Sequence, residues 1–112
     1  MSYQKIANLI LAVKEKTEEG AVPWVAADEG FQASFPKYAI KINQDYDFER
    51  DEVDLIFQII NESGDLVESV KDPDLSPFFE NPFTIMSDIY GMARRHAMGV
   101  DDAIDEILHN LK

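Results

Sequence analysis

Between Phe31 and Lys71 the apolar residues recur at alternate positions, and no connection in that stretch is long enough to carry a crossover. Phe31, Ala33 and Phe35 alternate with Gln32 and Ser34. Tyr38, Ile40 and Ile42 alternate with Lys41 and Asn43. Val53, Leu55, Phe57 and Ile59 alternate with Asp54, Ile56, Gln58 and Ile60. A period of two is the signature of strands, whose successive side chains point to opposite faces. Parallel neighbours need a crossover of a dozen or more residues. The connections here, Pro36-Lys37, the charged segment Gln44 to Glu52, and Asn61 to Asp65, are shorter than that. The strands must therefore run antiparallel. The inward parity changes from odd to even across Pro36-Lys37, which requires a turn or a bulge there, and a turn is expected. The second face of Val53–Ile60 is half apolar, which predicts a central strand partly covered on both sides.

The flanks complete the class. Val22 to Ala27 reads as a short edge strand, with Pro23 near its start. Asp28-Glu29-Gly30 reads as a three-residue hairpin with glycine in the left-handed position. Gly64 takes the same role in the turn before Leu66–Lys71, and Asp72–Pro77 reads as a loop. Tyr3 to Glu18 has helical spacing, with Ile6, Leu9, Ile10, Val13 and Thr17 on one face and Gly20 as the stop. Asn81-Pro82 starts a second helix, with Asn as N-cap and Pro at the first position. Met86, Ile89, Tyr90, Ala93 and Ala97 face inward, and Gly99 ends it. Asp101 or Asp102 is expected to cap a last helix with the stripe Ile104, Ile107, Leu108 and Leu111. The expected fold is a single α+β domain over residues 1–112. It has an N-terminal helix, a four- to five-stranded antiparallel meander sheet and two C-terminal helices packed mainly on one face.

Charge narrows the function. The chain carries 22 acidic against 10 basic residues, a net charge of -12. A nucleic acid needs a basic face, so direct nucleic-acid binding is not expected. The longest apolar run, Leu9 to Val13, is far short of the ~20 residues of a membrane helix, and the start lacks the basic and apolar parts of a secretory signal. With no cysteine, the chain suits a reducing compartment, and a cytoplasmic location is expected. No cofactor is expected, because no Gly-rich phosphate loop, thiol or zinc spacing occurs. In size and charge the chain is similar to small acidic bacterial proteins such as secretion chaperones and toxin-immunity proteins. It lacks the helix that secretion chaperones usually place between strands, and no residue carries the likeness further.

Three local features are candidate sites. Asn43, Asp45, Asp47, Glu49, Asp51 and Asp54 stand at the ligand offsets of a calcium loop. However, Phe48 occupies the position that needs glycine, and Asp54 stands where the loop has a bidentate Glu. Alternating acids with Tyr46 and Phe48 between them more simply describe a solvated edge strand or a hairpin arm. Arg94, Arg95 and His96 fall in the last turn of the second helix. Asp101, Asp102, Asp105 and Glu106 open the third, so each group matches its helix dipole and the two can pair across the turn. Phe78 and Phe79, between Pro77 and Pro82, serve either as a contact surface or as a lid on the core. His96 and His109 lie on different helices, beside no nucleophile motif.

These observations favour a non-enzymatic interaction module for a protein partner, expected to be basic, with self-association into a homodimer as a further expectation. The acidic stretch (Asp45, Asp47, Glu49, Asp51, Asp54) and the outer face of the last helix (Asp102, Asp105, Glu106) are its candidate surface. Phe78, Phe79, Arg94 and Arg95 are secondary candidates. Two alternatives stand beside it. One is a ligand binder or enzyme using clustered carboxylates in a pocket. The other is an acidic mimic of nucleic acid, which needs carboxylates in rows.

Overall fold

In the computed structural model, which describes residues 3–112, the strands form one five-stranded sheet. The chain order is α1 (Gln4–Glu18), β1 (Val25–Ala27), β2 (Gly30–Ser34), β3 (Tyr38–Asp47), β4 (Glu52–Asn61), β5 (Leu66–Lys71), a 3-10 turn (Asp72–Leu75), α2 (Pro82–Met98) and α3 (Val100–Asn110). The spatial order β1-β2-β3-β4-β5 is the sequence order, every pair is antiparallel, and the α+β meander is the one expected.

The period-two residues explain the core. Phe31, Ile42, Phe57 and Val70 are register partners across four strands, and all are buried. Their row meets Ile6, Ala7, Ile10 and Val13 of α1 and Met86, Ile89 and Ala93 of α2. The Tyr90 ring stands edge-on to Phe31 at 5.2 Å between centroids. The opposite face carries polar residues. There Gln32, Lys41, Gln58 and Ser69 form a row, and the Asn43 amide donates to Gln58 Oε1 at 3.5 Å. β4 has a neighbour on each side, and Ile56, Gln58 and Ile60 on its second face are half-buried.

Several details differ from the sequence reading. The parity change is a turn, closed by the Phe35 N–H donating to Tyr38 O at 2.8 Å. Phe35 and Tyr38 flank that turn at the sheet margin, and each is about half exposed rather than inward. The strand expected from Val22 begins only at Val25. Pro23 has no N–H to donate, and the Trp24 N–H is already given to Val22 O. Ala27 pairs directly with Gly30, so the hairpin has the two-residue turn Asp28-Glu29, and Gly30 belongs to β2. Gln44–Glu52 is not a long connection. β3 continues to Asp47 and β4 starts at Glu52. Asp72–Leu75 is a 3-10 turn rather than an open loop. Its buried Leu75 joins the core, and the buried Asp72 carboxylate accepts the Leu55 N–H at 2.8 Å.

The helices keep their expected spans but not all their caps. Asn81 occupies the N-cap position of α2 without a side-chain bond. Gly99, in the left-handed region at φ 62°, ends α2 and at once begins α3, so neither Asp101 nor Asp102 is a cap. Gly91 lies inside α2, and a methyl group there would meet nothing within 4 Å. Glycine in a helix interior costs ~1 kcal/mol against alanine. Gly91→Ala is therefore expected to stabilise the protein by about 0.5–1 kcal/mol, read as a higher urea midpoint at unchanged slope. Destabilisation would mean that Gly91 has a packing role after all.

Candidate functional site

β3 and β4 are ten residues each, but their neighbours are shorter. The pairing of β2 ends at Gly30–Asn43, and that of β5 ends at Ile56–Lys71. Beyond those rows the partners Gln44–Leu55, Asp45–Asp54, Tyr46–Val53 and Asp47–Glu52 have no third strand beside them. At about 3.3 Å per residue they make a two-stranded ribbon roughly 13 Å long, projecting from the sheet.

Alternation gives the ribbon two chemically distinct faces. Asp45, Asp47, Glu52 and Asp54 point to the face away from the helices. Four carboxylates on neighbouring positions would repel one another, and two cations hold them. Arg50 reaches back from the turn to Asp47 (2.8 Å), Glu52 (3.2 Å) and Asp54 (3.0 Å). Lys71 lies 3.7 Å from Asp45 and 3.9 Å from Asp54. The Arg50 side-chain hydrogen bond, aided by the Arg50 and Glu49 backbone N–H groups, holds the Asp47 carboxyl below the usual carboxylate range. Asp47 in turn raises Arg50 further. Asp51, at φ 52°, closes the turn in the left-handed conformation that Asp tolerates better than most residues.

The other face of the ribbon is apolar. Tyr46 and Val53 are cross-strand partners there, and Phe48 stands edge-on to Tyr46 at 4.7 Å between centroids. Phe48 is 87% exposed. Val53 continues toward Pro73 and Phe83 along a shallow groove at the start of α2. The sequence places Val53 in the inward stripe of its strand, whereas Tyr46 and Phe48 read there only as spacers between acids. The even-numbered alternation of Tyr46 and Phe48, running on from Ile40 and Ile42, is the signal that marks this face.

The predicted site residues separate into groups with different roles. Asp45, Asp47 and Asp54 are held by cations, and Asp54, only 4% exposed, is unavailable to a partner. Glu49 and Asp51 stand at the exposed tip. Phe78 and Phe79 are half-buried and pack against the core. Arg95 pairs with Asp101 at 2.6 Å across Gly99, as helix-end electrostatics suggested. Arg94 is exposed, as are Asp102, Asp105 and Glu106. No protein family, curated protein or solved structure matches this chain. The site is therefore argued from its own chemistry.

That chemistry divides the acidic surface in two. The ribbon adjoins the start of α2 through Phe83, whereas α3 leaves from its end. At 1.5 Å per residue α2 puts roughly 25 Å between them. The ribbon carboxylates thus stand by the start of α2, and those of α3 follow its end. Among the described residues, no group of three or more His, Asp or Glu is arranged to hold a metal ion, and the calcium-like spacing folds into the ribbon instead. An open groove of about 440 Å³ where α1, α2 and α3 meet gathers Glu18, Arg95, His96 and Asp101; in it Arg95 pairs with Asp101, and Glu18 pairs with Lys14. His109 is exposed on α3, away from His96. No helix among the described residues is long and apolar enough to cross a membrane.

Proposed function

We propose that this chain is a non-enzymatic, cytoplasmic protein-interaction module that receives a basic segment of a protein partner on the tip of the β3–β4 ribbon. The observation that carries the reading is the exposed Phe48 ring on Tyr46, beside Glu49 and Asp51, on a turn that Arg50 and Asp47 hold in shape. A ring left in water at a projecting tip contributes little to the fold. Beside carboxylates it suits an arginine or lysine, whose aliphatic stem packs on the ring while its cation meets both the ring face and the acids. Such contacts contribute about 0.5–2 kcal/mol each. A turn fixed in advance loses less entropy on binding.

A synthetic peptide alternating arginine with apolar residues is a direct probe, followed by amide shifts and calorimetry. Shifts are expected at Tyr46–Glu52, with affinity falling as salt rises. Phe48→Ala is expected to weaken binding about tenfold while leaving unfolding within about 0.5 kcal/mol of the parent. Glu49→Gln with Asp51→Asn should flatten the salt dependence. Binding indifferent to both salt and Phe48 would rule the reading out.

A further inference from the structure

We propose that α3 is a self-association element, through which two copies of this chain pair antiparallel about a twofold axis between Ile107 and Leu108. This inference is independent of the ribbon. α3 has no buried residue, and Ile104, Ile107, Leu108 and Leu111 are between 45% and 76% exposed. Its contacts with the rest of the fold are chiefly with α2. Isolated helices shorter than ~12–15 residues are marginal in water, and α3 has 11 residues. It therefore needs a cover for its apolar face.

The spacing of that face describes the cover. Val100, Ile104, Ile107 and Leu111 recur at intervals of four, three and four, the seam of a two-helix coiled coil. Leu108 widens the seam on one side, and Ala103 on the other permits close approach. The charges select a second copy and its direction. On a helical projection Asp101 and Asp105 lie along one margin of the stripe, and Lys112 lies further along the same margin. A twofold axis between Ile107 and Leu108 sets Ile104 against Leu111 and Ile107 against Leu108 of the second copy. It also brings Lys112 of each copy, just past the end of α3, toward Asp105 of the other and toward Asp101, whose carboxylate already holds Arg95 of its own chain. The opposite margin, Ala103 and Asn110, is uncharged. A parallel pair would turn the charged margin toward Ala103 and Asn110 of the other copy, where Lys112 meets no carboxylate, and would align the helix dipoles unfavourably. The stripe is thus self-complementary, as a twofold interface requires.

The net charge of -12 does not prevent this pairing. α3 is about 16 Å long, and the two bodies sit at opposite ends of the helix pair. That separation exceeds the ~8 Å Debye length at physiological salt. Asp102 and Glu106 lie on the outer side of the pair and stay in water. The two stripes together cover on the order of 1,000 Å², the lower bound of a specific interface, so the dimer is expected to dissociate in the micromolar range.

Sedimentation velocity from about 1 µM to about 0.5 mM is expected to show a monomer–dimer equilibrium that added salt leaves unchanged or strengthens. Ile107→Asp with Leu108→Asp should abolish it without changing the unfolding midpoint, because neither side chain contacts the core. The chain has no cysteine, so direction can be read by cross-linking. Ile104→Cys and Leu111→Cys chains, mixed and oxidised, are expected to join to each other in preference to themselves. A chain that stays monomeric throughout, or single variants that cross-link only with themselves, would overturn the proposal.

Discussion

Gly30→Ala is expected to lower the unfolding free energy by about 3 kcal/mol, against about 1 kcal/mol for the same change at Gly64. Gly30 flanks one hairpin turn and Gly64 lies within another, and the difference comes from what surrounds them. At Gly64 the added methyl meets nothing within 4 Å, so the change loses only the freedom of its φ of 86°. At Gly30 the methyl would press into the Ile42 carbonyl and stand 2.7 Å from Asn43 Cβ. Neither neighbour can move aside. Ile42 is fully buried, Asn43 is 5% exposed, and β3 is the middle strand of the sheet, paired on both sides. The strain therefore falls on the β2–β3 ladder itself. Against a typical total of about 5–15 kcal/mol, a loss of this size is visible in a single urea titration. A Gly30→Ala variant within 1 kcal/mol of the parent would show that β2 can lift away from β3.

Expectation and outcome part where a residue's surroundings cannot be read from the alternation of its own segment. The buried rows were readable because Phe31, Ile42, Phe57 and Val70 each sit in an unbroken alternation, and alternation fixes which face is inward. The ribbon was only half readable: its alternation described an edge strand or hairpin arm, whereas a charged connection was also expected from the low strand propensity of its acids. What permits them is Arg50 folding back across Asp47, Glu52 and Asp54, together with Lys71 from the neighbouring strand. Asp72 looked like a turn residue, yet it accepts the N–H of Leu55, seventeen positions away, at the edge where β5 stops. The stripe of α3 shows the complementary limit. A period of 3.6 establishes that a helix has an apolar face, but not whether that face meets its own sheet, a second copy or another protein. Ile104 to Leu111 belong to the same pattern as Met86 to Ala93. Only their placement beyond Gly99 separates the buried stripe from the exposed one.

Trp24→Ala is expected to be the most damaging single change, at about 3–5 kcal/mol. Trp24 is the chain's one tryptophan and is 2% exposed. It lies in the segment that joins α1 to β1, and its indole N–H donates to Thr17 Oγ1 at 3.1 Å. One side chain thus links the end of the first helix to the edge of the sheet. Truncation removes the ring's contacts and leaves a cavity that the surrounding core can only partly close. Trp24→Phe separates the two contributions. It keeps most of the ring volume and loses the hydrogen bond, while the freed Thr17 hydroxyl can turn to a backbone carbonyl one turn earlier in α1. That variant is expected to lose about 1–2 kcal/mol. A cycle with Thr17→Val should show a coupling of about 1 kcal/mol between the two side chains. Because the substitutions remove the natural fluorophore, unfolding is followed by circular dichroism. If Trp24→Ala cost no more than Trp24→Phe, the ring would be a lid held by its hydrogen bond, and the joint between α1 and β1 would owe its stability to Val22 and Thr17 instead.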